Sequence, residues 1–79
     1  MAIYVAIRKI VDAPTYVDYT FGASDGPLGI LRLDKVMGRV TLIEPLEEDS
    51  GNRLYARAAH KIEKHWAAGE YPDRTCWAS

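Results

Sequence analysis

The side chains best suited to chemistry in this sequence are its two histidines, His60 and His65, and its single cysteine, Cys76. A zinc site usually takes closely paired ligands, such as histidines four residues apart on a helix or two cysteines separated by two residues. His60 and His65 are five residues apart, which places them about 140° apart around a helix. We therefore expect no metal site in this chain.

The same cysteine and histidines could act as a nucleophile and its base. Cys76 lies beside Trp77 in the C-terminal segment, a position more typical of a small packed residue. The acidic run Glu47 to Asp49 precedes the predicted helix, where the positive end of the helix dipole stabilises carboxylates. The sequence therefore predicts no catalytic residue and no cofactor, and it contains no motif strong enough to name a reaction.

The segment from Gly22 to Gly29 contains three glycines and is a candidate phosphate-binding loop. Such a loop leads into the N-terminus of a helix and usually carries a lysine followed by serine or threonine. This segment joins two predicted strands and contains no lysine. We interpret it as a long hairpin loop, and a small-molecule binder or enzyme that uses Gly22–Gly29 is kept as an alternative.

Residues 51–68 form the helix that the sequence predicts. At about 100° per residue, its apolar and polar side chains separate onto two sides. The apolar side consists of Leu54, Tyr55, Ala58, Ala59, Ile62, His65 and Trp66. The polar side carries a basic stripe that could bind phosphates or an acidic partner, namely Arg53, Arg57, Lys61 and Lys64. Gly69 suits a left-handed position after the helix, and Pro72 prevents the helix from resuming.

Four segments before the helix have the composition and alternation of strands, at about residues 2–11, 15–21, 28–33 and 39–44. Asp34 and Gly38 open and close the connection between the last two strands, which suits a type I turn followed by a residue with positive φ. The tail, residues 70–79, has no periodicity and is predicted to be irregular. Its Tyr71 and Trp77 favour packing of the tail against the rest of the protein.

Composition narrows the class of protein. The chain has 79 residues, an apolar fraction of 48% and a net charge of −1. This length indicates one domain over residues 1–79, and the nearly neutral charge argues against a general binder of nucleic acid or membrane surfaces. A single cysteine fits a reducing compartment, and the N-terminus resembles neither a signal peptide nor a membrane span. We expect a cytoplasmic protein of complete natural length.

The order of the predicted elements indicates an α+β fold with two layers. We expect a four-stranded antiparallel β-meander covered on one face by a single C-terminal helix (ββββα). One helix leaves the other face of the sheet uncovered, unless the tail lies over it. Strand alternation places apolar, tyrosine and arginine side chains on that face, and these types are frequent at protein interfaces. The interface candidates are Tyr4, Arg8, Tyr16, Ile30, Arg32, Arg39 and Ile43.

The sequence therefore favours a small non-enzymatic cytoplasmic protein that acts as an interaction module. We expect it to form a homodimer, or to bind another protein, through the sheet face away from the helix. A binder of nucleic acid or of an acidic partner, which would use the basic stripe of the helix, is the first alternative. We expect no membrane partner.

Overall fold

A computed structural model describes residues 4–23 and 26–78 of the chain. The described elements, in order, are β1 (Tyr4–Asp12), β2 (Tyr16–Gly22), β3 (Leu28–Asp34), β4 (Val40–Glu44), a 3-10 turn (Ser50–Asn52), α1 (Arg53–Ala67) and β5 (Arg74–Ala78). The first two residues of the predicted first strand, Ala2 and Ile3, lie outside the described residues. So do Ser24 and Asp25 of the predicted loop and Ser79 of the tail.

The five strands form one antiparallel sheet in the order β4-β3-β2-β1-β5, and α1 packs on one face of it. The meander from β1 to β4 is the predicted one, because short connections place consecutive strands side by side. The core lies between the sheet and the helix. Its buried apolar residues are Val5, Ile7, Val17, Tyr19, Phe21, Leu31, Leu33, Leu46, Ala58 and Ile62. The α+β class, the antiparallel sheet and the single covering helix are confirmed.

The prediction of four strands and an irregular tail over residues 70–79 is wrong, because the tail forms β5. This strand pairs with β1 from Arg74 opposite Arg8 to Ala78 opposite Tyr4. Without β5, β1 would be an edge strand with a row of unpaired backbone N–H and C=O groups. Pairing over such a long separation in sequence leaves no local periodicity, which is why the strand could not be recognised.

The tail also does not fold over the uncovered sheet face in the region that the structure describes. The indole of Trp77 lies on the helix side, with its ring centroid 5.6 Å from that of His60. On the same side, Thr75 Oγ1 lies 2.9 Å from His65 Nε2. β5 therefore widens the sheet and contributes side chains to both of its faces.

The helix begins at Arg53, two residues later than predicted, because Gly51 and Asn52 have left-handed φ values of 67° and 55°. The N-terminal N–H groups of α1 are satisfied from outside the helix. The buried carboxylate of Asp49 accepts hydrogen bonds from the N–H groups of Leu54 at 2.8 Å and Tyr55 at 2.9 Å. These bonds satisfy two of the four N–H groups that the first turn of a helix leaves free.

The C-terminal end of α1 is capped by Gly69, as the sequence predicts. Gly69 has a φ of 75°. Its N–H donates to the carbonyl of Trp66 at 2.9 Å, and the N–H of Glu70 donates to that of His65 at 2.9 Å. This pair of bonds is a Schellman motif, which requires a left-handed residue after the last helical one.

The β3–β4 hairpin is fixed both internally and against the helix. The Asp34 carboxylate accepts hydrogen bonds from the N–H groups of Val36 at 2.8 Å and Met37 at 3.1 Å. Gly38 has a φ of 72°, as the turn prediction requires. The indole N–H of Trp66 donates to the carbonyl of Lys35 at 2.8 Å. The hairpin is thereby held against the last turn of α1.

We predict that Ile62→Ala lowers the free energy of unfolding by about 2–5 kcal/mol, because the side chain is fully buried between helix and sheet. Ile10→Ala removes the same atoms from a side chain that is half exposed, and we expect a change of only about 0.5 kcal/mol. Urea denaturation of both variants checks this. Equal losses would show that Ile62 does not lie in the core.

We predict that Gly69→Ala destabilises the protein by about 1–2 kcal/mol, because alanine is strained at positive φ although nothing lies within 4 Å of the added Cβ. Gly38→Ala should destabilise it more, since its Cβ would also lie 2.6 Å from the Trp66 ring. Thermal melts of the two variants check the order. A Gly38→Ala variant no less stable than Gly69→Ala would contradict the packing of Trp66 on the hairpin.

Candidate functional site

The sheet face opposite α1, called here the open face, is not covered by any of the described elements. Paired residues on neighbouring antiparallel strands point to the same face, so the register assigns its members. They are Tyr4, Ala6, Arg8 and Val11 of β1; Tyr16, Asp18, Thr20 and Gly22 of β2; Leu28, Ile30, Arg32 and Asp34 of β3; Thr41 and Glu44 of β4; and Arg74, Cys76 and Ala78 of β5.

Five of the seven interface candidates lie on the open face, namely Tyr4, Arg8, Tyr16, Ile30 and Arg32. Arg39 precedes β4 in the hairpin, where its carbonyl accepts a hydrogen bond from the Asp34 N–H at 2.9 Å. Ile43 lies at a register irregularity, and Glu44 takes the place opposite Ile30. The strand register therefore includes neither Arg39 nor Ile43 among the paired residues of this surface and adds Glu44 to it.

Sequence reasoning missed several members of the open face. A bulge between Lys9 and Val11 turns Val11 onto this face opposite Asp18, and the β4 irregularity does the same for Glu44. Arg74 and Cys76 join the face only through the pairing of β5 with β1. Simple alternation carries no signal for a bulge, because the extra residue shifts every later side chain by one position.

One part of the open face is neutralised internally. Arg32 donates hydrogen bonds to the two carboxylate oxygens of Asp18, at 2.8 and 3.1 Å. Its guanidinium carbon lies 4.1 Å from the ring centroid of Tyr16. The hydrogen bond to Asp18 raises the pKa of Arg32, and Asp18 is only 7% exposed. This cluster presents a preorganised, nearly neutral surface.

A single row of paired residues crosses the open face, with one residue from each strand: Arg74, Arg8, Thr20, Ile30 and Glu44. Its β5 end carries two adjacent arginines, and its β4 end carries a glutamate. Like charges directly opposite each other in a sheet are unfavourable. Because arginines occupy one end of the row and a glutamate occupies the other, the row has positive charge at one edge of the sheet and negative charge at the other.

The basic stripe of the helix lies on the side of α1 that faces away from the sheet. Arg53 and Lys64 are exposed, whereas Arg57 and Lys61 are partly buried. The stems of such side chains cover apolar surface at the edge of a core. The stripe is thus partly engaged in packing.

The candidate phosphate loop connects β2 to β3 and does not lead into a helix. Packing accounts for two of its glycines. A Cβ on Gly29 would lie 2.5 Å from Cζ of Phe21, and one on Gly22 would lie 2.8 Å from the carbonyl oxygen of Pro27. These glycines leave room for a core ring and for the neighbouring backbone.

The two histidines contact different residues of β5. Both ring nitrogens of His65 are engaged, Nδ1 with Glu70 Oε1 at 2.9 Å and Nε2 with Thr75 Oγ1 at 2.9 Å. His60 packs edge-on against Trp77, and Cys76 lies on the open face opposite Ala6. Within residues 4–23 and 26–78, no three His, Cys, Asp or Glu side chains are grouped so that they could hold a metal ion.

A second polar cluster lies where β1, the hairpin and the tail meet. Lys9 Nζ donates to Asp12 Oδ2 at 3.1 Å and to the carbonyl of Tyr71 at 3.0 Å, and it pairs with Asp73 at 3.1 Å. Lys35 Nζ donates to the other oxygen of Asp12 at 2.8 Å. All three N–H bonds of the Lys9 ammonium have acceptors, so this lysine acts as a structural tie and is poorly suited to be a base or nucleophile.

The same cluster affects the ionisation of its members. Hydrogen bonds from Lys35 and then Lys9 lower the pKa of Asp12. Hydrogen bonds to Asp12 and Asp73 raise the pKa of Lys9. Burial raises the pKa of Tyr19 to about 12, so this tyrosine stays protonated and is a poor acid near neutral pH.

Comparison of the chain with protein families, with curated proteins and with solved structures finds no match. None of the helices in the described part of the chain has the length and apolar character needed to cross a membrane.

We predict that Asp12→Asn destabilises the protein at pH 7 and that the difference from the wild type shrinks in acid. The pKa of Asp12 is lowered in the folded state. Its ionised form therefore contributes stability above the unfolded pKa of about 3.9, and this contribution is lost as the pH falls through the folded pKa.

Urea denaturation at pH 7 and pH 3 checks this, with Glu47→Gln as the control because Glu47 is exposed. We expect little change for that control at either pH. A difference between Asp12→Asn and wild type that is as large at pH 3 as at pH 7 would contradict the role given to the ionised carboxylate.

Proposed function

We propose that this protein is a non-enzymatic interaction module that self-associates through the open face of its sheet. The observation that carries the proposal is the exposure of large apolar side chains on a face that no described element covers. Tyr4 is 52% exposed and Leu28 is 48% exposed, and Ile30 lies partly buried between them and the polar cluster. A contiguous surface of this kind on a small protein usually marks an interaction site.

The energetics of such a surface are sufficient for a dimer. A standard interface buries about 800 Å² of solvent-accessible surface on each copy, and rather more than half of that surface is apolar. At roughly 25 cal/mol per Å², two such surfaces supply about 20 kcal/mol before association costs of about 4–15 kcal/mol are subtracted. The balance supports a complex of moderate affinity.

A second copy of the chain is the partner that this surface supports best. Closed symmetric dimers are the commonest soluble assemblies. The open face carries both signs of charge at separate edges, so it can complement a copy of itself. The basic stripe of the helix has weaker support as a binding surface, because Arg57 and Lys61 are partly buried. In addition, Glu63 adds an acid to the exposed side of α1. The single cysteine suits a reducing compartment such as the cytoplasm, where we place the protein.

We predict that the double variant Tyr4→Ser with Leu28→Ser weakens self-association about a hundredfold or more, since two apolar contacts of at least about 0.7 kcal/mol each are lost from both copies of the dimer. Sedimentation velocity over a concentration series measures the dissociation constant. Both side chains are about half exposed, so circular dichroism should show that the fold is retained.

The control is Ile10→Ser, which also removes an exposed apolar side chain, but from the bulge of β1, outside the paired rows of the open face. We expect this control to associate as the wild type does. A wild-type protein that sediments as a monomer at millimolar concentration would refute the proposed function.

A further inference from the structure

We propose that the two copies are related by a two-fold axis parallel to β2 that passes beside Thr20, so that Arg74 of each copy meets the partner's Glu44. This inference rests on the proposed self-association and specifies its geometry. It is carried by the residue row Arg74, Arg8, Thr20, Ile30 and Glu44, which crosses all five strands.

The sheet order places β2 at the centre, with two strands on either side. When two identical faces pack against each other about a two-fold axis, the axis must lie in the plane between them. An axis parallel to β2 places β2 over the β2 strand of the second copy. It also places β1 over the β3 strand of that copy, and β5 over its β4 strand. An axis along the row, perpendicular to the strands, lays every residue of the row on its own copy.

The charges select between these two arrangements. An axis along the row would place Arg74 against Arg74 and Arg8 against Arg8, and such like-charge contacts at an interface are strongly unfavourable. An axis parallel to β2 instead brings Arg74 to the partner's Glu44 at both edges and places Arg8 over the partner's Ile30. Each dimer therefore contains two Arg74–Glu44 pairs, one at each edge of the packed sheets.

The centre of the open face also suits this axis. The residues of β2 that would meet their own copies include Thr20, which is small and permits close approach. Asp18 lies on the same strand, but its carboxylate is held by Arg32 and is almost fully covered. Sheets in a sandwich pack about 10 Å apart with strands within about 30° of each other. Long side chains such as Arg and Glu can span that separation at the edges.

The edge pairs are expected to determine orientation more than total affinity, because ion pairs at the rim of an interface are partly solvated. A test must therefore separate the orientation from the existence of the dimer. Charge exchange does so, since Arg74 and Glu44 are both exposed residues of edge strands. Arg74→Glu also replaces a like-charge pair with Arg8 by an opposite-charge pair within the sheet, so the fold should be retained.

The experiment compares the wild type, Arg74→Glu, Glu44→Arg, the double variant, and an equimolar mixture of the two single variants. Each single variant has two repulsive pairs in its own dimer, and we expect its self-association to weaken by about tenfold or more. In the mixture, the dimer formed by one copy of each variant has two attractive pairs. We expect it to form with an affinity within about threefold of the wild type, as should the dimer of the double variant. Arg53→Glu, an equal charge change on the helix, is the control and should associate as the wild type.

Sedimentation velocity gives the dissociation constants, and native mass spectrometry identifies the mixed dimer. If the wild type dimerises but both single variants dimerise equally well, or if the mixture is no tighter than the single variants, the proposed axis is wrong while the self-association stands. If the wild type remains a monomer at millimolar concentration, both the proposed function and this inference are refuted.

Discussion

A single amphipathic helix has to cover the core of a five-stranded sheet in this protein, and the other features follow from that constraint. A helix of 15 residues is about 22 Å long, and five strands spaced about 4.8 Å apart span about 19 Å. α1 can therefore cross the whole sheet, and it contacts every strand. Its apolar stripe packs toward the sheet in doing so. The second face of the sheet is left without any described element to cover it.

The helix is held in this crossing position at both of its ends. Asp49 binds the N–H groups of its first turn. At the other end, Trp66 donates to the hairpin and His65 contacts β5. A domain of this size buries only about 60–65% of the surface of its unfolded chain, so its core alone gives a thin margin of stability. Polar contacts that join distant parts of the chain, such as those of Lys9 to the tail, consequently matter more here than in a larger protein.

The parts of this structure that the sequence predicts are those determined by neighbouring residues. The periodicity of the helix, the alternation of β2 and β3, the Asp34–Gly38 turn and the Gly69 stop are all local features, and the structure contains them. β5 and the two strand irregularities depend on pairing between distant segments, and a single sequence contains little record of that pairing. These missed features also changed the candidate surface, since they brought Val11, Glu44 and Arg74 onto it. The polarity of the open face could therefore be seen only after the register was known.

The edges of the sheet disfavour its extension by a strand from another copy of the chain. Each edge strand, β4 and β5, has only five residues. β4 is interrupted by a register irregularity, and the two strands carry the charged residues Glu44 and Arg74. Short, charged and bulged edges disfavour the addition of another strand, which would otherwise propagate without limit. In the proposed dimer, by contrast, the two open faces cover each other and leave no further copy of the surface exposed. In the proposed dimer the charges that protect the edges also orient the two faces, because Glu44 and Arg74 lie where the edge of the sheet meets its open face.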